Sequence, residues 1–276
     1  MIKAAVIGDP ISHSLSPKIH GYFLQKYNID GSYEAIRIEK NNLKSEIQKL
    51  VDQGYAGFNV TLPHKEEIFK LCDYKSQSAQ ICGAVNTVII TQDKKLFGHN
   101  SDVDGFLNNL KISAPEFDLK NKNTFVIGAG GAARAIIYGL LKSGVKKVFI
   151  TNRNHERAEK LIADFAKIGA VEFLAHEDFC QKLNYCDLLV NSTSLGMSGQ
   201  EPLQIDLSNL KKSAIVYDII YKPLITELLA SSQKRGNKIV TGIGMLIQQA
   251  LIGFEAWFKT KPEADEILEK ILTQNL

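Results

Sequence analysis

Features that would tie this sequence to a metal, a nucleic acid or a membrane are scarce. Four cysteines occur in 276 residues, and Cys72, Cys82, Cys180 and Cys186 show no C-x-x-C spacing. The six histidines form no H-x-x-x-H pair and no cluster with them, so metal catalysis has no support in the spacing, no metal ligands are assigned, and the thiols read as buried and reduced. An excess of one charge is missing too. A formal net charge of +3 is small and dispersed, and without a Lys/Arg block or aromatic-basic interleaving it points away from nucleic acid and towards a small partner. Long uninterrupted apolar runs are absent. The most apolar central stretch, Thr124 to Leu141, carries Arg134 and four glycines, which argues against a membrane span. The opening MIKAAVIGDP breaks at Gly8-Asp9-Pro10 and reads as a first strand, not a signal peptide. Nothing is repetitive or of low complexity. The expectation is a cytoplasmic globular protein, and a chain 45% hydrophobic and 23% charged agrees with it. Its length is comfortable for two domains.

What is present is organised around TFVIGAGGAARAIIYGLL, from Thr124 to Leu141. Phe125-Val126-Ile127 is a short apolar run, Gly128, Gly130 and Ala133 follow at G-x-G-x-x-A spacing, and Ala132 to Leu141 return as helix formers. This is the pattern of a dinucleotide-binding turn. The first glycine permits a sharp turn, the second lets a pyrophosphate approach main-chain amides, and the small third residue lets helix and strand pack closely. A second strand, Val145 to Thr151, ends where this fold reads the adenosine ribose. An acidic residue there would accept the 2′-hydroxyl of NAD; the sequence offers Asn152-Arg153-Asn154, with Arg157 one turn on, which suits a 2′-phosphate and hence NADP. A solvated basic loop is the plainer alternative.

The first hundred residues alternate β-rich runs with amphipathic helices. Strands are expected at Lys3 to Ile7, Tyr33 to Ile38, Gly57 to Val60 and Val85 to Thr91, and helices near Pro17 to Tyr27, Leu43 to Asp52 and Lys65 to Cys72. The alternation implies a mostly parallel α/β sheet. Without a dinucleotide glycine signature, this half reads as a substrate domain. Polar residues gather at the element ends, where α/β sheets place ligands. Ser12-His13-Ser14-Leu15-Ser16-Pro17 precedes a helix, and Ser16 is either its N-cap or part of a binding loop. Lys65 in a first helical turn opposes the helix dipole, which marks either a solvated lysine or a functional one. Asp102 is either the cap of a helix running from near Val103 to Leu110 or a partner of Lys65. A carboxylate and an ammonium facing one pocket could share a proton, as alcohol oxidation requires. Further on, a helix is expected at Glu156 to Ile168, strands at Val171 to Leu174, Asp187 to Asn191, Ala214 to Ile219 and Lys238 to Thr241, and helices at Met245 to Trp257 and Glu263 to Thr273. Ser192, Thr193 and Ser194 read equally as loop chemistry or as cofactor contacts.

Taken together, these motifs resemble the shikimate dehydrogenase family along nearly the whole chain: SHSLSP at 12–17, NVTLPHK at 59–65, GAVNT at 83–87, NSD at 100–102, GAGGAARA at 128–135, NRN at 152–154, NSTSLGM at 191–197, YDIIYKP at 217–223 and GIGMLIQQA at 242–250. Their joint order and spacing are specific. The resemblance implies an α/β protein with an N-terminal substrate-binding catalytic domain, 1–102, completed by C-terminal helices in 246–276. A Rossmann-like NADP-binding domain would occupy 103–245, with a cleft between the two. It implies that Ser14 and Ser16 hold a substrate carboxylate and that Thr61, Asn86, Tyr221 and Gln249 bind ring hydroxyls or the carboxylate. Lys65 would transfer the proton with Asp102 as its partner, and Gln249 would lie beside Ser14 and Lys65. Gly128, Ala129, Gly130, Gly131 and Ala132 would cradle the pyrophosphate. Asn152, Arg153, Asn154, His155, Glu156 and Arg157 would surround the 2′-phosphate, and Ile219 and Gly242 would flank the nicotinamide. Ser101 stands where the family commonly has Thr, and Asn154 where a Thr or Ser often contacts the phosphate. The activity implied is reversible NADP(H)-linked reduction of 3-dehydroshikimate to shikimate, by a monomer or homodimer with no nucleic-acid or membrane partner. A quinate/shikimate dehydrogenase, a non-catalytic NADP-binding regulator and a methylene-tetrahydrofolate dehydrogenase are the alternatives weighed; Arg153, the Lys65 and Asp102 pair, and the paired serines with Gln249 argue against them in turn.

Overall fold

The computed structural model describes residues 1–274; positions 275 and 276, at the end of the segment assigned above to the first domain, lie outside them. The chain forms two compact units, Met1–Asp102 with the segment from Ile247 onward, and Val103–Leu246.

In the first unit β1 (Ile2–Gly8) leads to α1 (Ser16–Lys26), β2 (Gly31–Arg37), α2 (Leu43–Asp52), β3 (Gly57–Val60), α3 (Lys65–Leu71), β4 (Tyr74–Lys75), α4 (Gln77–Cys82), β5 (Thr87–Ile90) and β6 (Leu96–His99). The sheet order is β2-β1-β3-β5-β6-β4. β1 runs parallel to β2 and β3, β4 runs parallel to β6, and β5 is antiparallel to both its neighbours. Ala4, Ala5, Val6 and Ile7 are all buried, as expected of a parallel strand covered on both faces and written as an unbroken apolar run. α2 covers one face with Leu43, Ile47, Leu50 and Val51, whose spacing repeats at the helical period. They join Phe58, Val60 and Ile68 in one core.

The second unit contains most of α5 (Asp102–Ser113), then β7 (Asn123–Ile127), α6 (Gly131–Lys142), β8 (Lys147–Thr151), α7 (His155–Phe165), β9 (Val171–Phe173), α8 (His176–Gln181), β10 (Leu188–Asn191), β11 (Ile215–Asp218), α9 (Glu227–Lys234) and β12 (Lys238–Val240). Its sheet, ordered β12-β11-β10-β7-β8-β9, is parallel throughout. The order reverses beside β7, so the strand that precedes the glycine turn sits where doubly wound sheets bind their ligands. Phe125, Phe179, Leu189, Val216 and Leu229 lie in its core. Within this unit Phe106 stacks on Tyr217 with ring centroids 4.8 Å apart, and Asn109 Nδ2 donates to the Tyr217 hydroxyl at 2.6 Å and to Thr241 O at 3.0 Å.

α10 (Gly242–Phe258) and α11 (Glu266–Thr273) follow. From Ile247 on, they complete the first unit. Phe254 packs edge-on against Phe23 at 5.3 Å, and the Trp257 indole N–H donates to Val88 O at 2.9 Å, so an aromatic side chain is buried with its polar atom satisfied. Asp265 caps α11 through Leu268 N and also takes the Tyr22 hydroxyl and the Lys26 ammonium, tying the last helix to α1. Among the described residues, no helix is long and apolar enough to cross a membrane.

Three of the differences from the sequence expectation lie next to the assigned motif residues. β5 starts at Thr87 rather than Val85, because Asn86 O accepts from Val60 N while Asn86 N donates to His99 O, which takes this residue out of the regular ladder. Ser16 is not the cap of α1: the cap position is Leu15, with no side-chain cap bond, and it is Ser14 Oγ that accepts the Ser16 amide at 3.3 Å. α5 begins at Asp102 and extends to Ser113.

Candidate active site

Lys65 and Asp102 are far apart in sequence but meet in space. Lys65 is the first residue of α3, just beyond β3 and the turn in which His64 N donates to Thr61 O. Asp102 follows β6. The Lys65 Nζ to Asp102 Oδ2 distance is 2.7 Å, with side chains 22% and 11% exposed, which shields the pair from much of the screening that weakens surface ion pairs. A cation at a helix N-terminus is unfavourable by itself, and the carboxylate offsets it. The other carboxylate oxygen, Oδ1, accepts from Asn86 Nδ2 at 2.7 Å.

Asn86 is in turn held from behind. Its Oδ1 accepts from Ser101 N at 2.7 Å and lies 3.1 Å from Ser101 Oγ and 3.2 Å from Thr87 Oγ1. Ser101 Oγ is 3.5 Å from Gln249 Oε1, so α10 brings Gln249 to the same network. On its other flank, Asn59 Nδ2 donates to Asn86 O and to Thr87 Oγ1, and Asn59 Oδ1 accepts from the Tyr33 hydroxyl at 2.7 Å. Burial pushes the Tyr33 pKa well above its usual value, and a bond to Ser16 opposes that shift. Ser16, Asn86, Asp102 and Gln249 thus share one continuous polar layer in the first unit, with Lys65 paired to it. Ser14 and Thr61 sit half-buried on the loops after β1 and β3. Tyr33, Asn59, Thr87 and Ser101 are members that the sequence reading did not assign. A single polar residue inside an apolar strand carries no periodic signature, so only the position of Asn59 and Thr87 next to assigned motif residues could have found them.

The second unit carries the glycine turn. Gly128 has φ +110°, and a Cβ on it would lie 2.7 Å from Ser192 Oγ and 2.9 Å from Thr193 Cγ2. The turn after β10 therefore packs directly on the turn after β7, and only glycine fits between them. Ser192 Oγ donates to Ile127 O at 2.6 Å, and Thr193 Oγ1 donates to Asn191 Oδ1, so both hydroxyls serve the loop itself. Gly130 occupies the cap position of α6 with no side chain closing it, and a Cβ on Gly131 would meet nothing within 4 Å. The first turn of α6 is thus capped by no side chain of its N-cap residue, as anion binding at a helix N-terminus requires.

Arg157 Nη2 comes within 3.8 Å of where a Gly130 Cβ would stand, which brings a guanidinium to the glycine turn. Arg153, His155 and Glu156 are exposed beside it. Asn154 caps α7, its side-chain oxygen accepting from Arg157 N at 2.8 Å, which leaves its amide nitrogen for a ligand. Asn152 Nδ2 donates to Asn154 O at 2.7 Å. Uncapped helix amides, a glycine turn without side chains and two arginines form a donor set that fits the pyrophosphate and 2′-phosphate of NADP. At the end of β11, a Cβ on Gly242 would lie 2.1 Å from Ile219 O, so Ile219 and Gly242 touch backbone to backbone. Tyr221 follows on the same loop, in the second unit. Beside them Asp218 is buried, accepting from Thr226 Oγ1, Ile220 N and Asn191 Nδ2. Burial raises its pKa and those bonds hold it down in part.

A parallel sheet with an uncapped glycine turn and basic ribose loop, together with a lysine-carboxylate pair in a separate α/β unit, defines a nicotinamide-nucleotide-linked α/β oxidoreductase. Two family models match the chain, "shikimate dehydrogenase substrate binding domain" over residues 6–88 and "shikimate / quinate 5-dehydrogenase" over residues 111–220. The chain is 44% identical over 265 residues to the shikimate dehydrogenase (NADP(+)) of Paramagnetospirillum magneticum, covering 96% of this chain and 95% of that one. The shikimate dehydrogenase structure from Aquifex aeolicus superposes with a TM-score of 0.89 at 34% identity, covering 100% of this chain and 98% of that chain. The Thermus thermophilus enzyme, solved in complex with NADP(H) and shikimate, superposes with a TM-score of 0.87 at 32% identity, covering 99% of each chain. The chain belongs to the shikimate dehydrogenase family.

Proposed function

We propose that this protein catalyses the reversible, NADPH-dependent reduction of 3-dehydroshikimate to shikimate, in the cytoplasm and on the route to chorismate and the aromatic amino acids. The observation that carries this reading is the shielded 2.7 Å contact of Lys65 with Asp102, in a unit that also presents Ser14, Ser16, Thr61, Asn86 and Gln249 for a small hydroxylated acid. Residues 1–102 with 246–276 bind the substrate, and residues 103–245 bind the dinucleotide.

Bound NADPH supplies the hydride at nicotinamide C4. Ser14 and Ser16 donate to the substrate carboxylate, and Thr61, Asn86 and Gln249 bind ring hydroxyls or the carboxylate. As the carbonyl oxygen gains negative charge, Lys65 Nζ donates a proton to it; in the reverse direction the neutral amine takes that proton back. Asp102 Oδ2 aims the ammonium and offsets its charge. Gly128 to Ala132 supply the turn and helix amides for the pyrophosphate, Asn152 to Arg157 surround the 2′-phosphate, and Ile219 and Gly242 shape the nicotinamide seat.

The test is NADPH oxidation with 3-dehydroshikimate, run beside NADH and beside quinate in the oxidative direction. Turnover with 3-dehydroshikimate and a clear preference for NADPH are expected. Faster turnover with quinate and NAD would replace the reading with a quinate dehydrogenase, and no turnover with any pair would refute it. Arg153→Ala is expected to weaken NADPH binding by about tenfold or more while leaving NADH binding within about twofold, because it removes a charge-assisted contact to the 2′-phosphate alone.

A further inference from the structure

We infer that the Thr87 hydroxyl is a positioning element for the Lys65 and Asp102 pair; the inference rests on the reaction proposed above and adds a residue to it. Thr87 is 1% exposed, and its hydroxyl bonds Asn59, Asn86 and Ser101 rather than either member of the pair. Of these, Asn86 is the residue that holds Asp102.

The direction of each bond follows from groups whose chemistry leaves no choice. Asn86 O is a carbonyl and can only accept, so the atom of Asn59 that faces it at 3.1 Å is the amide nitrogen. The second proton of that nitrogen goes to Thr87 Oγ1, also at 3.1 Å. Thr87 Oγ1 is therefore an acceptor towards Asn59, and its single proton is left for Asn86 Oδ1 at 3.2 Å or Ser101 Oγ at 3.0 Å. Ser101 N can only donate, and it reaches Asn86 Oδ1 at 2.7 Å, which settles the oxygen end of the Asn86 amide. The nitrogen end then faces Asp102 Oδ1 at 2.7 Å, and Asp102 Oδ2 faces Lys65.

Thr87 links the two sides of this layer. It receives from the Tyr33–Asn59 side and gives to the side that carries Asn86, Ser101 and, through Ser101, Gln249. Without its hydroxyl, one proton of Asn59 has no acceptor and Asn86 Oδ1 is held from the Ser101 side alone. In a buried layer an unsatisfied amide rotates to find a partner. Rotation of the Asn86 amide moves the nitrogen that pins Asp102, and reacting groups tolerate little displacement. Asn86 is itself one of the substrate contacts proposed above, but Ser14 and Thr61 keep theirs, so the loss falls mainly on turnover.

Thr87→Val keeps the shape and deletes the hydroxyl. The expected result is a kcat lower by about tenfold or more with KM for 3-dehydroshikimate within about threefold. Thr87→Ser, which restores the hydroxyl and loses a methyl, is expected to recover kcat to within about threefold of wild type. Thermal melts establish that each variant folds. A folded Thr87→Val with wild-type kcat overturns the inference, as does a folded Thr87→Ser as slow as Thr87→Val. If Thr87→Val does not fold, Thr87→Ala against Thr87→Ser decides, a faster Ser variant supporting the role and equal rates refuting it. A wild-type protein inert towards 3-dehydroshikimate and NADPH refutes the proposed reaction itself, and this inference falls with it; an active wild type beside an unaffected Thr87→Val refutes the inference alone.

Discussion

Lys65 occupies a position that helix energetics disfavours, and its pairing with Asp102 offsets that cost. Truncating the lysine leaves no proton donor for the developing alkoxide, so Lys65→Ala is expected to lower kcat by ~10²–10⁴-fold with a much smaller change in KM; steady-state assays with 3-dehydroshikimate check this, and unchanged turnover would rule out the role. His20 is a residue of the opposite kind, a titratable group kept from titrating. It stacks on Tyr33 at 3.8 Å and lies 5.9 Å from Phe254, and neither ring nitrogen has a hydrogen-bond partner among the described residues. Burial pushes its pKa down to about 3. Below pH ~6.5 the unfolded chain takes up a proton at this histidine that the folded protein refuses until pH nears the depressed value. Stability is therefore unaffected by His20 above that range, and falls by about 1.4 kcal/mol per pH unit as pH drops through it. Urea midpoints measured between neutral and mildly acid pH are expected to decline less steeply in His20→Phe than in wild type.

At the scale of elements, the turn after β7 depends on Gly128. Gly128→Ala forces a side chain into φ +110° and towards Ser192 Oγ, with an expected loss of about 1–3 kcal/mol in chemical unfolding. Turns of this kind were readable from sequence because glycine spacing and small residues leave marks, as did α2 with its period and β1 with its unbroken apolar run. The pair at the site was readable only as two residues with rival explanations, since nothing in the spacing of Lys65 and Asp102 states that their side chains meet. α4, α8 and α9 escaped notice because they are short and largely polar, fixed by tertiary packing and in two cases by caps, Ser76 to Ala79 N and Thr226 to Leu229 N. β6 escaped because its pairing with β5 and β4 is decided by the sheet rather than by the residues Leu96 to His99. The Asn59, Asn86 and Thr87 layer was the least legible feature, because hydrogen-bond direction is a property of three dimensions.

For the whole molecule, the two units give distinct readouts for the two ligands. NADP(H) is expected to slow amide hydrogen exchange in β7, α6 and β8, and shikimate to slow it in β3, α3 and β5. Each ligand at about 100 times its Kd raises the stability of the binding-competent form by ~2.7 kcal/mol. Protection of the first unit by the nucleotide alone would contradict the assignment of ligands to units. The first unit also has an unusual dependence on the order in which the protein is made. Its opening stretch leaves the ribosome early with His20, Phe23 and Tyr33 in place, yet Phe254 and Trp257, which close that aromatic face, belong to the segment from Ile247 onward. Translation of Val103–Leu246 intervenes, and at ~5–20 residues per second it lasts about 7–30 s. The second unit is continuous in sequence and can fold as it is completed, whereas the nascent first unit waits through that interval with an uncovered apolar surface, a target for chaperones during synthesis.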